Sequence, residues 1–371
     1  MHILHVVPTY LPATRYGGPI FAVHGLCKAL AARGHEVEVF TTNVDGDGVS
    51  DVPLGTAAER DGVNVRYFPS TLRRLYYSPA MRKALLARAG EFDLVHAHSV
   101  FLWPTACAAR AAHRAGVPYV ISPRGMLVPE LIQRKSRLAK MAWISLVERR
   151  NFLRACAIHF TSDRELDDAR RLGVSVPRAA VVPNGIDIPP LPDEPRDPSL
   201  VLYLGRINWK KGLDRLVDAV ARLGGARLVI AGRDDEGYAD TLPCHDRVTF
   251  VGEVAGAAKE HLLATAAVLV LPSISENFGN AVLEAMAHAT PVIVTPGVGL
   301  ARDVEEAGAG IVTDGAPATL AEAIERLLGD EPRRAAMGVR GRALVENRFG
   351  WDRVAQEMET LYTSCSRASR R

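Results

Sequence analysis

A chain of 371 residues exceeds one ordinary domain and, at roughly 150 residues per domain, predicts two. Its 48% hydrophobic and 6% aromatic content is that of a folded globular protein; no apolar run approaches the ~20 residues of a membrane span, and the N-terminus lacks the basic start and long apolar core of a signal peptide. The net charge of +3 conceals an asymmetry: residues 1–180 carry 24 Lys and Arg against 15 Asp and Glu, whereas residues 181–371 carry 21 against 27. A basic first half points to an anionic partner, with nucleic acid, an anionic membrane surface and a phosphorylated lipid carrier all open at this point.

Residues 2–8 predict a first buried strand, 19–33 a helix stopped by Gly34, and 36–41 a second strand. Further strands are expected at 93–97, 118–122, 157–161 and 179–182, with helical stretches between them. That rhythm implies a parallel sheet covered by helices on both faces. Six prolines between Pro183 and Pro198 block helix and strand alike and predict a linker. Beyond it the alternation restarts, with a strand at 200–204, a helix at 213–223 and strands at 227–231, 248–251, 268–271 and 291–295. Residues 349–365 predict a terminal helix. The expected domains are 1–185, with helix 349–365 packing back on it, and 186–348. Two doubly wound units would leave a cleft at the carboxyl ends of their strands, where such folds bind ligands. The cysteines, Cys27, Cys107, Cys156, Cys244 and Cys365, are odd in number, widely spaced and free of any C-x-x-C pair. That argues for buried thiols in a reducing cytosol, and against a disulfide framework or a zinc site.

The strongest chemical signal runs from Pro272 to Ala287. A buried strand, V-L-V-L, stops at Pro272, and a loop leads into a helix expected to begin near Phe278. Glu276 lies before that helix and Glu284 on it, while Phe278, Gly279, Asn280 and Ala281 would offer backbone N–H groups at its positive end, a seat for pyrophosphate. Eight residues of helix would separate the two carboxylates by roughly 12 Å, too far for a shared proton and suited to two ends of one extended ligand. Arg206 and Lys211 follow the first strand after the linker, where a leaving diphosphate needs positive charge; the neighbouring Lys210 is an alternative to Lys211.

The segment S-I-S-E-N-F-G-N-A-V-L-E-A-M-A-H-A-T-P-V-I resembles the signature of family-four retaining glycosyltransferases of the GT-B fold, an α/β architecture of two doubly wound, Rossmann-like parallel-sheet domains facing across a cleft. The recognisable segments cover nearly the whole chain. The resemblance implies that Glu276 holds hydroxyls of the transferred sugar and Glu284 the ribose, with Asn277, Phe278, Gly279, Asn280 and Ala281 around the sugar and phosphates. Arg206 and Lys211 would stabilise the departing diphosphate. It also implies that Gly17 and Gly18 close over a nucleoside-diphosphate sugar donor, that Tyr16 and Arg124 line the acceptor side, and that His98 is an acceptor-side or donor-phosphate contact. His98 joins Glu276, Arg206 and Lys211 as a candidate catalytic residue. Arg124 departs from the family, which often carries His there; an arginine cannot serve as a general base, so its role would be electrostatic. The implied acceptor is a glycan or lipid-linked glycan of the bacterial cell surface, without nucleic acid.

Other features have plainer readings. Asp45-Gly46-Asp47 and the run Arg233 to Glu236 read as loops rather than metal sites, and no divalent metal is expected. His96 and His98 alternate onto one side of their strand, a conceivable metal pair lacking a third ligand near in sequence. The basic, partly apolar segment 134–150 reads as a packed helix that could touch an anionic membrane. Rival readings are an epimerase or phosphorylase of the same fold and a non-catalytic nucleotide-sugar-binding protein. An NAD-dependent oxidoreductase is rejected because the loop after the first strand is not G-x-G-x-x-G.

Overall fold

The computed structural model describes residues 1–15, 17–134, 137–191 and 193–369. The chain divides into two compact units, Met1–Gly185 with Trp351–Arg371, and Ile186–Gly350.

Among its described residues the first unit holds ten strands: β1 His2–Val6, β2 Glu36–Thr42, β3 Val44–Asp45, β4 Gly48–Val49, β5 Ala57–Arg60, β6 Val63–Phe68, β7 Leu94–His98, β8 Tyr119–Ser122, β9 Ala157–Phe160 and β10 Ala179–Val181. Eight of them form one sheet in the order β10-β9-β8-β7-β1-β2-β6-β5, parallel except for β5 against β6, and β3–β4 is a separate hairpin. Successive side chains of a strand face opposite ways, so a sheet covered on both sides must be apolar at nearly every position. In β1, Leu4 and Val6 join Phe40, Phe68 and Phe160 on one face, while Ile3 joins Val37, Val39 and Leu30 on the other. The terminal helix Trp351–Ser369 packs on this second face through Val354, Ala355, Met358, Tyr362 and Cys365, one stripe at helical spacing. Trp351 leaves no room for a side chain on helix Gly18–Ala32 at Gly25, where a Cβ would lie 2.1 Å from its ring.

The second unit holds β11 Asp197–Leu204, β12 Arg227–Ala231, β13 Val248–Gly252, β14 Ala266–Leu271, β15 Val292–Val294 and β16 Gly310–Val312, ordered β13-β12-β11-β14-β15-β16 and parallel throughout. Its core gathers Leu202, Ile230, Leu269 and Ile293 with Leu216, Val282, Met286 and Leu320 from the covering helices.

The structure departs from the sequence expectations in three places. The hairpin β5–β6 is additional; its turn is Asp61-Gly62, both at positive φ (51° and 80°), the Asp-Gly chemistry that tight hairpins demand. The proline-rich stretch does not exclude strand to its end, because β11 starts at Asp197 and runs through Pro198. The register against β14 shifts between Asp197 and Val201, where a residue without an N–H cannot continue the ladder. Finally, the cysteines are not all free thiols. Cys156, before β9, and Cys365, on the terminal helix, form a disulfide with Cα atoms 5.4 Å apart across 209 residues of sequence, and Cys244 is exposed. Sequence spacing cannot show that a returning helix brings two such distant cysteines together. No helix among the described residues is long and apolar enough to cross a membrane.

Candidate active site

In the second unit, β14 is buried at all six positions and stops at Pro272. The loop that follows reaches helix Asn280–Ala287, entered through Gly279 at φ 102° with no side-chain cap. Glu276 is held at its backbone by a second loop: its N–H donates to the Gly297 carbonyl (2.9 Å), and its carbonyl accepts from Gly299 N–H (3.0 Å). The Phe278 carbonyl accepts from Leu300 N–H (3.1 Å). This close approach requires glycine, since a Cβ at Gly297 would lie 2.3 Å from the Ser273 carbonyl oxygen and one at Gly299 would lie 2.2 Å from that of Asn277. The run Pro296-Gly297-Val298-Gly299 is thus part of the site, and only its two close-set glycines hinted at it in the sequence.

Lys211 ends a short 3₁₀ turn, Trp209–Lys211, capped by the Asn208 side chain, and the Lys210 carbonyl accepts from Ile274 N–H (2.8 Å). The turn is therefore tied to the Glu276 loop. Of the two neighbouring lysines, Lys211 reaches the Glu276 carboxylate in an ion pair, while Lys210 lies over the Trp209 ring. Arg206 is exposed, and its carbonyl accepts from the buried Tyr203 hydroxyl (2.8 Å). Burial, then the Glu276 charge, push the Tyr203 phenol well above its usual range, with Arg206 pulling the other way. Glu284 pairs with Lys259 (3.1 Å) on helix Gly256–Thr265, a lysine that sequence reasoning missed. The C-terminal end of Asn280–Ala287 is fixed too: His288 bonds the Glu284 carbonyl (2.8 Å) and the Glu260 carboxylate (2.6 Å). Asp234 accepts from the backbone amides of Tyr238 and Ala239, which makes it a turn-forming residue.

In the first unit, Gly17 precedes helix Gly18–Ala32 at φ 62°, with no atom within 4 Å of where a Cβ would stand, so backbone conformation rather than crowding favours glycine there. Tyr16 lies outside the described residues. His98 ends β7 and is buried, as are His5, His96 and His159. Their hydrogen bonds form two relays whose polarity can be deduced. The Val182 carbonyl can only accept, so His159 donates from Nε2 (2.8 Å) and accepts at Nδ1 from Ser122 Oγ (2.6 Å). Ser122 then accepts from His96 Nε2 (2.6 Å), and His96 Nδ1 accepts from the Tyr362 hydroxyl (2.6 Å). In the second relay, Arg124 can only donate, from Nε and Nη2 to His98 Nδ1 (both 3.3 Å). His98 Nε2 therefore donates to His5 Nδ1 (2.9 Å), and His5 Nε2 carries a proton with no partner among the described residues.

All four imidazoles are neutral. Burial, aided by the Arg124 charge, lowers His5 and His159 to about 3, and burial also holds His96 and His98 well below the usual histidine range. His5, His96 and His98 bring one nitrogen each within 4.8 Å of one another and so could surround a metal ion. The fit is poor: binding one would sacrifice hydrogen bonds of both relays and set the ion beside the Arg124 guanidinium.

Arg124 itself sits in a left-handed turn (φ 55°) followed by Gly125 (φ 75°), whose N–H donates to the buried Glu165 carboxylate (2.5 Å). The same carboxylate takes the Thr161 N–H and hydroxyl, which anchors the turn from below, and helix Asp163–Arg171 is capped by Ser162. The loop after His98 is also strained, with Ser99 and Phe101 at positive φ. It is held by Glu148, which leaves a π-helical segment, Ile144–Glu148, to accept from Phe101 N–H (3.0 Å) and Trp143 Nε1 (2.8 Å).

Residues 17–185 match the family described as "Glycosyl transferase 4-like domain", and residues 188–344 match "Glycosyl transferases group 1". The D-inositol 3-phosphate glycosyltransferase of Xylanimonas cellulosilytica is 30% identical over 98% of this chain and 96% of its own length. Among solved structures, the sucrose-phosphate synthase of Thermosynechococcus elongatus superposes with a TM-score of 0.78 at 25% identity, covering 99% of this chain and 100% of the other. Anabaena HepE, solved in complex with UDP-glucose, superposes at 0.75 with 21% identity over 98% of this chain and 100% of the other, which bears on the fold alone. Two Rossmann-like parallel-sheet units, these matches and the Glu276–Glu284 segment lead to one conclusion: the chain belongs to the group 1 glycosyltransferases and has the GT-B fold.

Proposed function

We propose that the protein transfers a sugar from a nucleoside-diphosphate sugar to an acceptor hydroxyl, with retention at the anomeric carbon and without a divalent metal. The observation that carries this reading is the Lys211–Glu276 pair, set beside Arg206 and the uncapped start of helix Asn280–Ala287. A donor entering there exchanges partners with that pair. Its sugar hydroxyls take Glu276, and its diphosphate takes Lys211, Arg206 and the helix dipole, which stabilise the charge that grows as the bond to the sugar breaks. Glu284, lying on the helix next to Lys259, is assigned to the ribose, and Gly17 and Gly18 to close approach on the donor. Among the described residues no side chain stands out as a nucleophile, so the leaving phosphate is assigned to take the acceptor proton on the same face. His98 is assigned to the acceptor side, orienting Arg124 rather than exchanging protons itself.

The reaction is placed in bacterial cell-surface glycan assembly at the cytoplasmic side of the membrane, with a glycan or lipid-linked glycan as acceptor and no nucleic acid. Supporting a peripheral contact with anionic lipid, Leu138 and Leu146 are 86% and 77% exposed in a segment that also exposes Arg137, Arg149 and Arg150. The test is a melting-shift and turnover panel over UDP-, GDP-, ADP- and TDP-sugars with and without EDTA. One nucleotide series should stabilise the protein and turn over equally in both conditions. Loss of turnover in EDTA refutes metal independence, and production of a free epimer or a sugar 1-phosphate moves the assignment to an epimerase or phosphorylase.

A further inference from the structure

Arg124 is unusual in what it lacks. Its guanidinium is bonded to the buried, neutral ring of His98, and no carboxylate lies within 4.0 Å of it among the described residues. The nearest acid to influence it is Glu165, and both oxygens of Glu165 are committed to the amides of Gly125 and Thr161 and the Thr161 hydroxyl. Its acceptors are the His98 ring and the Asn184 side-chain carbonyl (2.8 Å), both neutral. A guanidinium has five N–H groups. His98 takes those of Nε and one on Nη2, and Asn184 takes one on Nη1, which leaves one uncommitted on each terminal nitrogen.

The second relay points the same way. Because Arg124 only donates, the series Arg124→His98→His5 ends on a protonated His5 Nε2, itself a buried donor without a partner. The unused hydrogen-bonding capacity of the cluster is therefore entirely of donor character, next to a fixed positive charge. Arg124 is partly exposed as a residue while the histidines behind it are buried, which puts it at the outer edge of the cluster. It stands just beyond the carboxyl end of β8, beside that of β7, the end of a parallel sheet at which ligands bind. The left-handed turn, the Glu165 anchor and the His98 fork hold it in one orientation, the preorganisation a planar two-pronged contact with an oxyanion requires.

We propose that Arg124 binds a fixed negative charge, a carboxylate or phosphate, carried on the sugar portion of one of the two substrates and distinct from the donor diphosphate. This deepens the transfer reading and rests on it. Two sources supply that chemistry: an acidic transferred sugar, or an acidic or phosphorylated acceptor.

The experiment measures binding of matched pairs by calorimetry on the full-length protein: UDP-glucose against UDP-glucuronate for the donor, and galactose against galacturonate and glucose against glucose 6-phosphate for the acceptor. The wild type should bind the charged member of at least one pair tenfold or more tightly than its neutral partner. Arg124→Gln should reduce that ratio to near one. Preference confined to the donor pair identifies an acidic sugar, and preference confined to the acceptor pairs identifies an acidic acceptor. Should Arg124→Gln fail to fold, Arg124→His, a residue type that tolerates the left-handed turn, makes the same comparison. The proposal is overturned if no charged member is preferred, or if the preference survives the substitution. Because the readout is a ratio of affinities and needs no turnover, its failure is distinct from failure of the transfer reading, which Glu276 and donor turnover decide.

Discussion

The two parallel sheets finish their strands in opposite electrical states. Beyond β11 and β14 the functional side chains are formal charges in partly exposed ion pairs, Lys211 with Glu276 and Lys259 with Glu284. In β1, β7, β8 and β9 they are imidazoles and hydroxyls shut away from water and kept neutral, with Arg124 bonded to His98. Partly solvated ion pairs contribute little to stability and are easily exchanged for a charged ligand. Buried neutral relays are costly to disturb and hold a single geometry. The contrast predicts that substitutions in the ion pairs of the second unit change chemistry, whereas substitutions in the neutral relays of the first change stability.

The largest effect that could break this comparison is at Glu276. Glu276→Gln keeps the shape and loses the charge, and turnover should fall by roughly 10²–10³-fold, the scale of removing one preorganised electrostatic contact. Nucleoside diphosphate release measures it. The denaturant midpoint should hardly move, and a variant with full turnover would remove Glu276 from the mechanism.

Next comes the acid response of the first unit. In the unfolded chain His5 and His159 take protons near 6.5, but in the folded chain only near 3, so between these values the unfolded state binds more protons. Stability is therefore full above 6.5 and falls as pH drops toward 3, by about 1.4 kcal/mol per pH unit for each imidazole and about 3 kcal/mol for the two. Glu148 and Asp168, both raised by burial, act in the opposite sense. Urea unfolding at pH 7, 6 and 5 should show the decline beginning below 6.5. Stability unchanged across that range would mean that the imidazoles are not the neutral framework described.

How much of this was legible in the sequence follows the same division. The Glu276 segment reads well because strand, loop, helix and both carboxylates lie within the twenty-two consecutive residues 266–287, where hydrophobic run, proline and glycine each mark a boundary. Gly297 and Gly299 escape such reading because the carbonyls they crowd belong to Ser273 and Asn277, more than twenty residues earlier. The histidine relays escape it altogether: β1, β7, β8, β9 and the terminal helix each supply a member, and only the folded sheet brings them together. His96 and His98 could be placed on one side of a strand, but the Tyr362 that bonds the first is 266 residues away. The Asp61-Gly62 hairpin was missed although its signal is local, an Asp-Gly turn between two short strands. The Cys156–Cys365 bond was not legible, since nothing local distinguishes those two cysteines from Cys27 or Cys107.

A smaller effect separates loop position from charge. In Gly299→Ala the new methyl meets the Asn277 carbonyl, so the loop carrying Glu276 must shift by a sizeable fraction of an ångström. A misplacement of about 1 Å can cost a hundredfold in rate, so a loss of roughly tenfold to a hundredfold in kcat is expected, with donor affinity less affected. Unaltered kcat would mean that the Pro296–Leu300 loop only supports the fold.

The finest test uses two tyrosines of similar burial. Tyr362 donates to His96 Nδ1 (2.6 Å) and Tyr203 to the Arg206 carbonyl (2.8 Å), and both rings are essentially inaccessible. Changing either to phenylalanine deletes one buried hydrogen bond and should cost about 1 kcal/mol in denaturant unfolding. The variants should differ in what that bond positions. Tyr203→Phe releases the backbone of an exposed cation assigned to the leaving diphosphate, so kcat should also fall by a few-fold. Tyr362→Phe relaxes the head of a neutral relay that reaches Ser122 and His159 but never touches Arg124, so kcat should stay within experimental error. If Tyr362→Phe slows transfer as much as Tyr203→Phe, the histidine framework carries information to the reacting groups, and the division of labour between the two sheets fails at its finest point.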